Sequence, residues 1–171
     1  MPFRSWCEQC LKSRARNANH RRKAPEDPLD EFKVPRVHMD YFFMSIEDES
    51  ASSNPLFAMA DEKSGARYAR AVGQKGLGVS DEMDWLIEDI SKTLKSWGHA
   101  GGAGGHLILK SDGEPALMAV KNAVMQYHGG VCIPEQPAQG EKAENGLIEE
   151  AGRTIREYFC TFLSQIEKGS R

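Results

Sequence analysis

His106-Leu-Ile-Leu-Lys-Ser-Asp112-Gly-Glu-Pro115 is the stretch that most narrows what this chain can fold into. An apolar run of strand length ends in a single carboxylate, and Pro115 then sits where a first helical turn tolerates proline, at the head of the alanine-rich Ala116–Val124. A strand that feeds directly into a helix belongs to an α/β sheet. Carboxyl ends of strands in such sheets are where ligands and chemistry collect. Asp112 is therefore a helix cap or a ligand-binding group, depending on which partners the fold brings to it.

The rest of the chain supplies a compatible order of elements. Val34–Ile46 is rich in β-formers and carries Asp40 among apolar neighbours. A carboxylate inside such a strand is costly unless it is paired or binds a metal. The acidic, serine-rich 47–54 reads as a turn, Pro55–Ala60 as a second strand and Ala66–Val72 as a third. Ser80–Trp97 is an amphipathic helix with an N-cap serine, early acids, Met83, Leu86, Ile87, Ile90 and Leu94 at helical spacing, and Gly98 at its end. Gly101–Gly105 lacks the following GK[ST] of a phosphate loop and reads as a plain loop. Gly130–Ile133 is a short fifth strand, and a last helix runs from about Glu141 to Glu167. The order βββαβαβα predicts a mixed five-stranded sheet flanked by helices.

Composition limits the partners. A chain of 171 residues, 40% hydrophobic and 27% charged, buries one sizeable core. No apolar run reaches the roughly 18 residues of a membrane span, and the N-terminus has no signal-peptide core, so a soluble intracellular protein without membrane contact is expected. Net charge is −3, but residues 1–24 carry seven Lys and Arg against one Glu. A basic arm before an acidic body suits polyanion contact by the arm and cation binding by the body; plain solvated charge explains the count equally well. Cys7 and Cys10 form a CxxC, half of a zinc site, with His20 alone nearby; two untethered thiols in a polar tail is the alternative. Cys132 and Cys160 sit in apolar contexts and read as small buried residues. His38 reads as a core histidine, His106 and His128 as loop residues, and Trp85 and Trp97 as packing.

Three blocks together resemble the catalytic core of a retrotransposon or retroviral integrase, a DDE polynucleotidyl transferase with a ribonuclease H-like fold. Val37-His-Met-Asp40-Tyr-Phe-Phe resembles the first-strand aspartate block and Leu109-Lys-Ser-Asp112-Gly-Glu-Pro the second. Glu144-Asn-Gly-Leu-Ile-Glu149 resembles the NGxxE block that opens a long helix, and 36 residues lie between Asp112 and Glu149, close to the family's spacing. Pro2–Cys10 resembles the end of the family's HHCC zinc domain, whose histidines would precede Met1. The resemblance covers about residues 2–165. It divides the chain into a basic arm and linker over 1–30, a remnant of that zinc domain, and an integrase-like core over 31–171.

The resemblance implies 3′-end processing and strand transfer on DNA, in the nucleus, with Asp40, Asp112 and Glu149 as catalytic ligands of two Mg²⁺ or Mn²⁺ ions. Zn²⁺ at Cys7 and Cys10 is implied only in a longer protein. Hard cations need oxygen donors, and a pair of Mg²⁺ ions can serve both the attacking and the leaving oxygen of an in-line displacement. Asn145-Gly146 fits just before the family glutamate, which favours Glu149 over Glu144, while Glu150 points roughly 100° away around the helix. Arg153 and Arg156, at i+4 and i+7 from Glu149, lie on its helical face and by resemblance meet DNA; an intrahelical Glu149–Arg153 ion pair is the alternative. The core reads as C-terminally truncated, because 22 residues after Glu149 cannot supply the further helices through which the family dimerises. A non-catalytic integrase remnant that only binds nucleic acid or protein is the competing reading.

Overall fold

A computed structural model of the protein describes residues 34–78, 82–101, 105–136 and 146–169. Cys7, Cys10, the basic arm and Glu144 lie outside them. The described residues divide into two compact units, Val34–Ala151 and the remainder of the last helix from Gly152 onward.

The first unit is built on five strands: β1 (Arg36–Phe42), β2 (Leu56–Asp61), β3 (Arg67–Ala71), β4 (His106–Ser111) and β5 (Val131–Glu135). Their order across the sheet is β3-β2-β1-β4-β5. The β1/β2 and β2/β3 pairs are antiparallel, the second joined by a short turn and the first by a segment that contains a helical turn, whereas β1/β4 and β4/β5 are parallel. Helices supply the crossovers: α2 (Glu82–Ser96) precedes β4, and α3 (Pro115–His128) joins β4 to β5. The remaining helices are α1 (Ile46–Ala51) and α4 (Gly146–Gly169). This is the mixed, helix-flanked five-stranded sheet expected from the sequence.

Alternation along the strands decides which side chains form the core. Val37, Met39 and Tyr41 of β1, Phe57 and Met59 of β2, and Leu107 and Leu109 of β4 are buried together. Leu86, Ile87, Ile90 and Leu94 of α2 and Leu117, Val120 and Val124 of α3 complete that cluster, so both helices cover one face of the sheet. Asp40, which alternates with Met39 and Tyr41, is thereby left on the opposite face. Pro115 occupies the first turn of α3, and Gly129 closes it in the left-handed conformation at φ 73°, the geometry that makes glycine a good helix terminator.

Several local expectations fail for identifiable reasons. Residues 47–54 are not simply a turn: Ser45 caps α1, accepting the Asp48 N–H at 3.0 Å and donating to the Asp48 carboxylate at 2.8 Å. Three acidic residues in that first turn suit the positive end of a helix. Trp85 is 49% exposed and lies under the Arg70 guanidinium, 5.4 Å from its ring centre, so only Trp97 packs against the core. His128 is not in a loop; it ends α3 buried, with Nδ1 3.0 Å from the Ser91 hydroxyl. His106 is the exposed first residue of β4. Cys132 packs against the core as expected, but Cys160 is exposed.

Candidate active site

The β1/β4 ladder places the first two candidate carboxylates. Met39 pairs with Ser111, and Asp40 and Asp112 each follow one residue later, Asp40 within β1 and Asp112 just past the end of β4. Their charges reach one another. Burial pushes the Asp40 carboxyl up from its ordinary value to about 6; the Tyr41 N–H opposes this, donating to Oδ1 at 2.7 Å, and the negative charges of Asp112 and Glu114 push it further up. The Lys75 ammonium pulls in the other direction. For a half-buried carboxylate whose charging is opposed by burial and by two neighbouring carboxylates, a nearby cation stabilises the charged form.

Asp112 does not cap α3 through a helical N-cap position. Its Oδ1 accepts the Glu114 N–H at 3.0 Å, and Glu114 itself is the N-cap residue without a side-chain cap bond. That short local bond fixes the Asp112 carboxyl just beyond the end of β4. Gly113 makes no left-handed turn and has open space around it, so the arrangement makes no conformational demand for glycine there.

Glu149 lies in the first turn of α4 and is exposed, between the buried Ile148 and Ala151. Its neighbour Glu150 faces Arg67 at 3.9 Å. Among the described residues no three His, Cys, Asp or Glu side chains gather into a set that could hold a metal ion. The structure therefore brings Asp40 and Asp112 together and does not bring Glu149 into a ready-made cluster with them. A pair of carboxylates still fits a hard cation such as Mg²⁺, which commonly takes one or two protein carboxylates and completes its shell with water and phosphate oxygens. Arg153 and Arg156 belong to the second unit, on α4.

Two charged clusters near this site escaped the sequence. Lys75 forms an ion pair with Glu114, its Nζ 3.0 and 3.1 Å from the two carboxylate oxygens. At the start of the central strand β1, Arg36 reaches both Glu62 and Glu135 at 3.1 Å, and Lys110 of β4 reaches Glu135 at 3.4 Å. Lys121, only 1% exposed, donates to the Glu135 carbonyl at 3.3 Å. Burial lowers the Lys121 pKa, with Asp112 opposing. Buried lysines on an amphipathic helix carry no sequence signature, because their spacing is that of any polar position. His38 is the core histidine expected, with Nε2 3.6 Å from Glu62 and Nδ1 buried without a hydrogen bond.

A five-stranded mixed sheet of this order, with helices flanking it and an aspartate on its central strand, is an α/β arrangement consistent with the ribonuclease H-like fold. No protein-family model and no curated protein matches the chain. Among solved structures it is similar to a chain in the cryo-EM structure of a simian T-cell lymphotropic virus intasome in complex with PP2A regulatory subunit B56 gamma. The two share 11% identity with a TM-score of 0.40, over 76% of this chain and 49% of that one. The chain thus spans about half the length of its neighbour. Among the described residues no helix is long and apolar enough to cross a membrane.

Proposed function

We propose that the chain is an integrase-like polynucleotidyl transferase core, which carries out 3′-end processing and strand transfer when the DNA of a retroelement is integrated. The observation that supports this most directly is the register that sets Asp112, just past the end of β4, beside Asp40 on the adjacent parallel strand β1, where its charge adds to the burial that holds the Asp40 carboxyl pKa up. Asp40 and Asp112 would hold Mg²⁺ or Mn²⁺, with Glu149 as the third carboxylate of a two-ion centre. When bound, such ions activate an attacking oxygen and stabilise the leaving oxygen of an in-line displacement at phosphorus. The protein's own part is to fix two of the carboxylates: Asp40 by the β1 backbone and the Tyr41 N–H, Asp112 by its bond from the Glu114 N–H. Arg153 and Arg156 would contact DNA phosphates, and the DNA-integration step places the activity in the nucleus.

The test is an oligonucleotide assay. With Mg²⁺ or Mn²⁺ the protein should trim and join the 3′ end of a duplex carrying the element's terminal sequence, and EDTA should abolish both reactions. Metal-independent turnover, or none with either metal, would refute the catalytic proposal. A second reading, an integrase-like remnant that binds nucleic acid or protein without turnover, is favoured by the lack of a three-residue metal cluster among the described residues. DNA binding without trimming or joining in the same assay would select it.

The third ligand is separately testable. Glu149→Gln should weaken Mn²⁺ binding by about 10-fold or more, the range expected when a carboxylate at a metal centre is lost, and Glu144→Gln should leave it within twofold. Calorimetric titration of both variants measures this. A greater loss in Glu144→Gln would transfer the role to that residue.

A further inference from the structure

Lys75 lies in the glycine-rich Gly73-Gln-Lys-Gly-Leu-Gly78 segment between β3 and α2. Its ammonium is held between groups that flank the two site aspartates in sequence. It reaches both oxygens of Glu114, two residues past Asp112. It also lies 5.5 Å from the ring centre of Tyr41 and 5.3 Å from that of Phe43, one and three residues past Asp40.

The segment that carries the lysine is anchored where it touches the sheet. The Gly76 N–H donates to the Tyr41 hydroxyl at 3.1 Å. Gly76 also adopts φ +84°, and a Cβ there would come within 3.2 Å of the Cβ of Ala116, so both its conformation and its close approach to α3 require glycine. Lys75 is thus aimed at the site by the backbone of its own segment.

The ion pair itself is a poor explanation for this placement. Both side chains are 31% exposed, and a pair so open to water contributes little to stability. A glutamate that shares one lysine beside two other carboxylates competes for it with any anion that arrives. A nucleic-acid strand brings phosphodiester oxygens in series, and lysine binds phosphate as a compact point charge.

We infer that Lys75 is a phosphate-binding residue of this site, exchanging the Glu114 carboxylate for a phosphodiester oxygen of the nucleic-acid substrate. This rests on the polynucleotidyl transferase reading and adds to it a residue that holds the strand beside Asp40 and Asp112. Glu114 keeps the ammonium in position while no strand is bound.

The experiment is duplex-oligonucleotide binding by the full chain, followed by fluorescence anisotropy between about 50 and 200 mM salt in the presence of Ca²⁺, so that no turnover is needed. Each phosphate contact adds close to one unit to the slope of log affinity against log salt. Lys75→Ala should flatten that slope by about one and weaken binding about equally for all sequences, and Lys75→Arg should restore both. Glu114→Gln should tighten binding severalfold, and this gain should fall by at least half in the Lys75→Ala background.

An unchanged slope in Lys75→Ala, or an equal Glu114→Gln gain with and without the lysine, would overturn the assignment while leaving the function proposal standing. Absence of salt-dependent duplex binding by the wild-type protein would overturn both. If Lys75→Ala does not fold, Glu114→Gln alone decides, because unchanged or weaker binding contradicts the exchange.

Discussion

Asp40→Asn should make the protein harder to unfold and at the same time abolish the proposed strand transfer. The stability gain follows from the sign of the Asp40 shift. In the unfolded chain the carboxyl loses its proton near its ordinary value of 3.8, but in the fold it holds the proton up to about 6. Below about pH 3 both states are protonated and the shift has no effect on the pH slope. As pH rises from about 3 through 6, the unfolded state releases its proton first, so stability falls, by about 3 kcal/mol in total. Asparagine cannot charge, and its side-chain oxygen can still accept from the Tyr41 N–H.

At pH 8 without metal the variant should therefore melt about 5–10 °C higher than wild type, and at about pH 3 the two should nearly coincide. Metal-dependent strand transfer should fall by at least about 1000-fold, or ~4 kcal/mol in barrier height. A variant no more stable at pH 8 would mean that Asp40 is not under electrostatic strain. Retained strand transfer would remove it from the active centre.

Phe57→Ala should have the largest effect on stability alone. Phe57 is fully buried and pairs with Tyr41 across the β1/β2 ladder. Its ring meets Tyr41 edge-on at 5.5 Å and Tyr68 at 6.4 Å. Deleting a buried phenyl ring loses its transfer free energy and leaves a cavity, costing about 3–5 kcal/mol. Urea unfolding at constant slope measures the cost, and a loss below about 1.5 kcal/mol would mean that the core closes over the gap. Because Tyr41 also anchors the Lys75 segment through its hydroxyl, the variant should weaken DNA binding even at temperatures where it remains folded.

The sheet was legible in the sequence because β1, β2 and β4 are apolar runs of strand length bounded by polar segments, and because helix α2 shows a clean apolar stripe ended by glycine. Asp40 and Asp112 were legible for a related reason: a carboxylate within or at the end of an apolar run is conspicuous. What escaped depended on contacts between distant residues. The capping of α1 by Ser45 hides in a segment whose composition also suits a turn. Lys75 looks like any solvated lysine until the fold brings Glu114 and two aromatic rings to it. Lys121 and His128 occupy helix positions whose burial depends on what packs against them, and the exposure of Trp85 follows from its contact with Arg70 on β3 instead of with the core. The blocks around Asp40, Asp112 and Glu149 suggested a complete triad. The structure joins the first two through a shared ladder, while the third depends on a helix turn that no strand pairing fixes.

The parallel pairing of β1 with β4 separates where the two aspartates sit from how much chain lies between them. Their spacing is set by a ladder of backbone hydrogen bonds, and the loops within the intervening 71 residues can change length without altering it. Insertions at the tip of the β2–β3 hairpin, around Lys63 and Ser64, should therefore be tolerated by the aspartate pair, whereas a single-residue slip between β1 and β4 would turn one carboxylate toward the core.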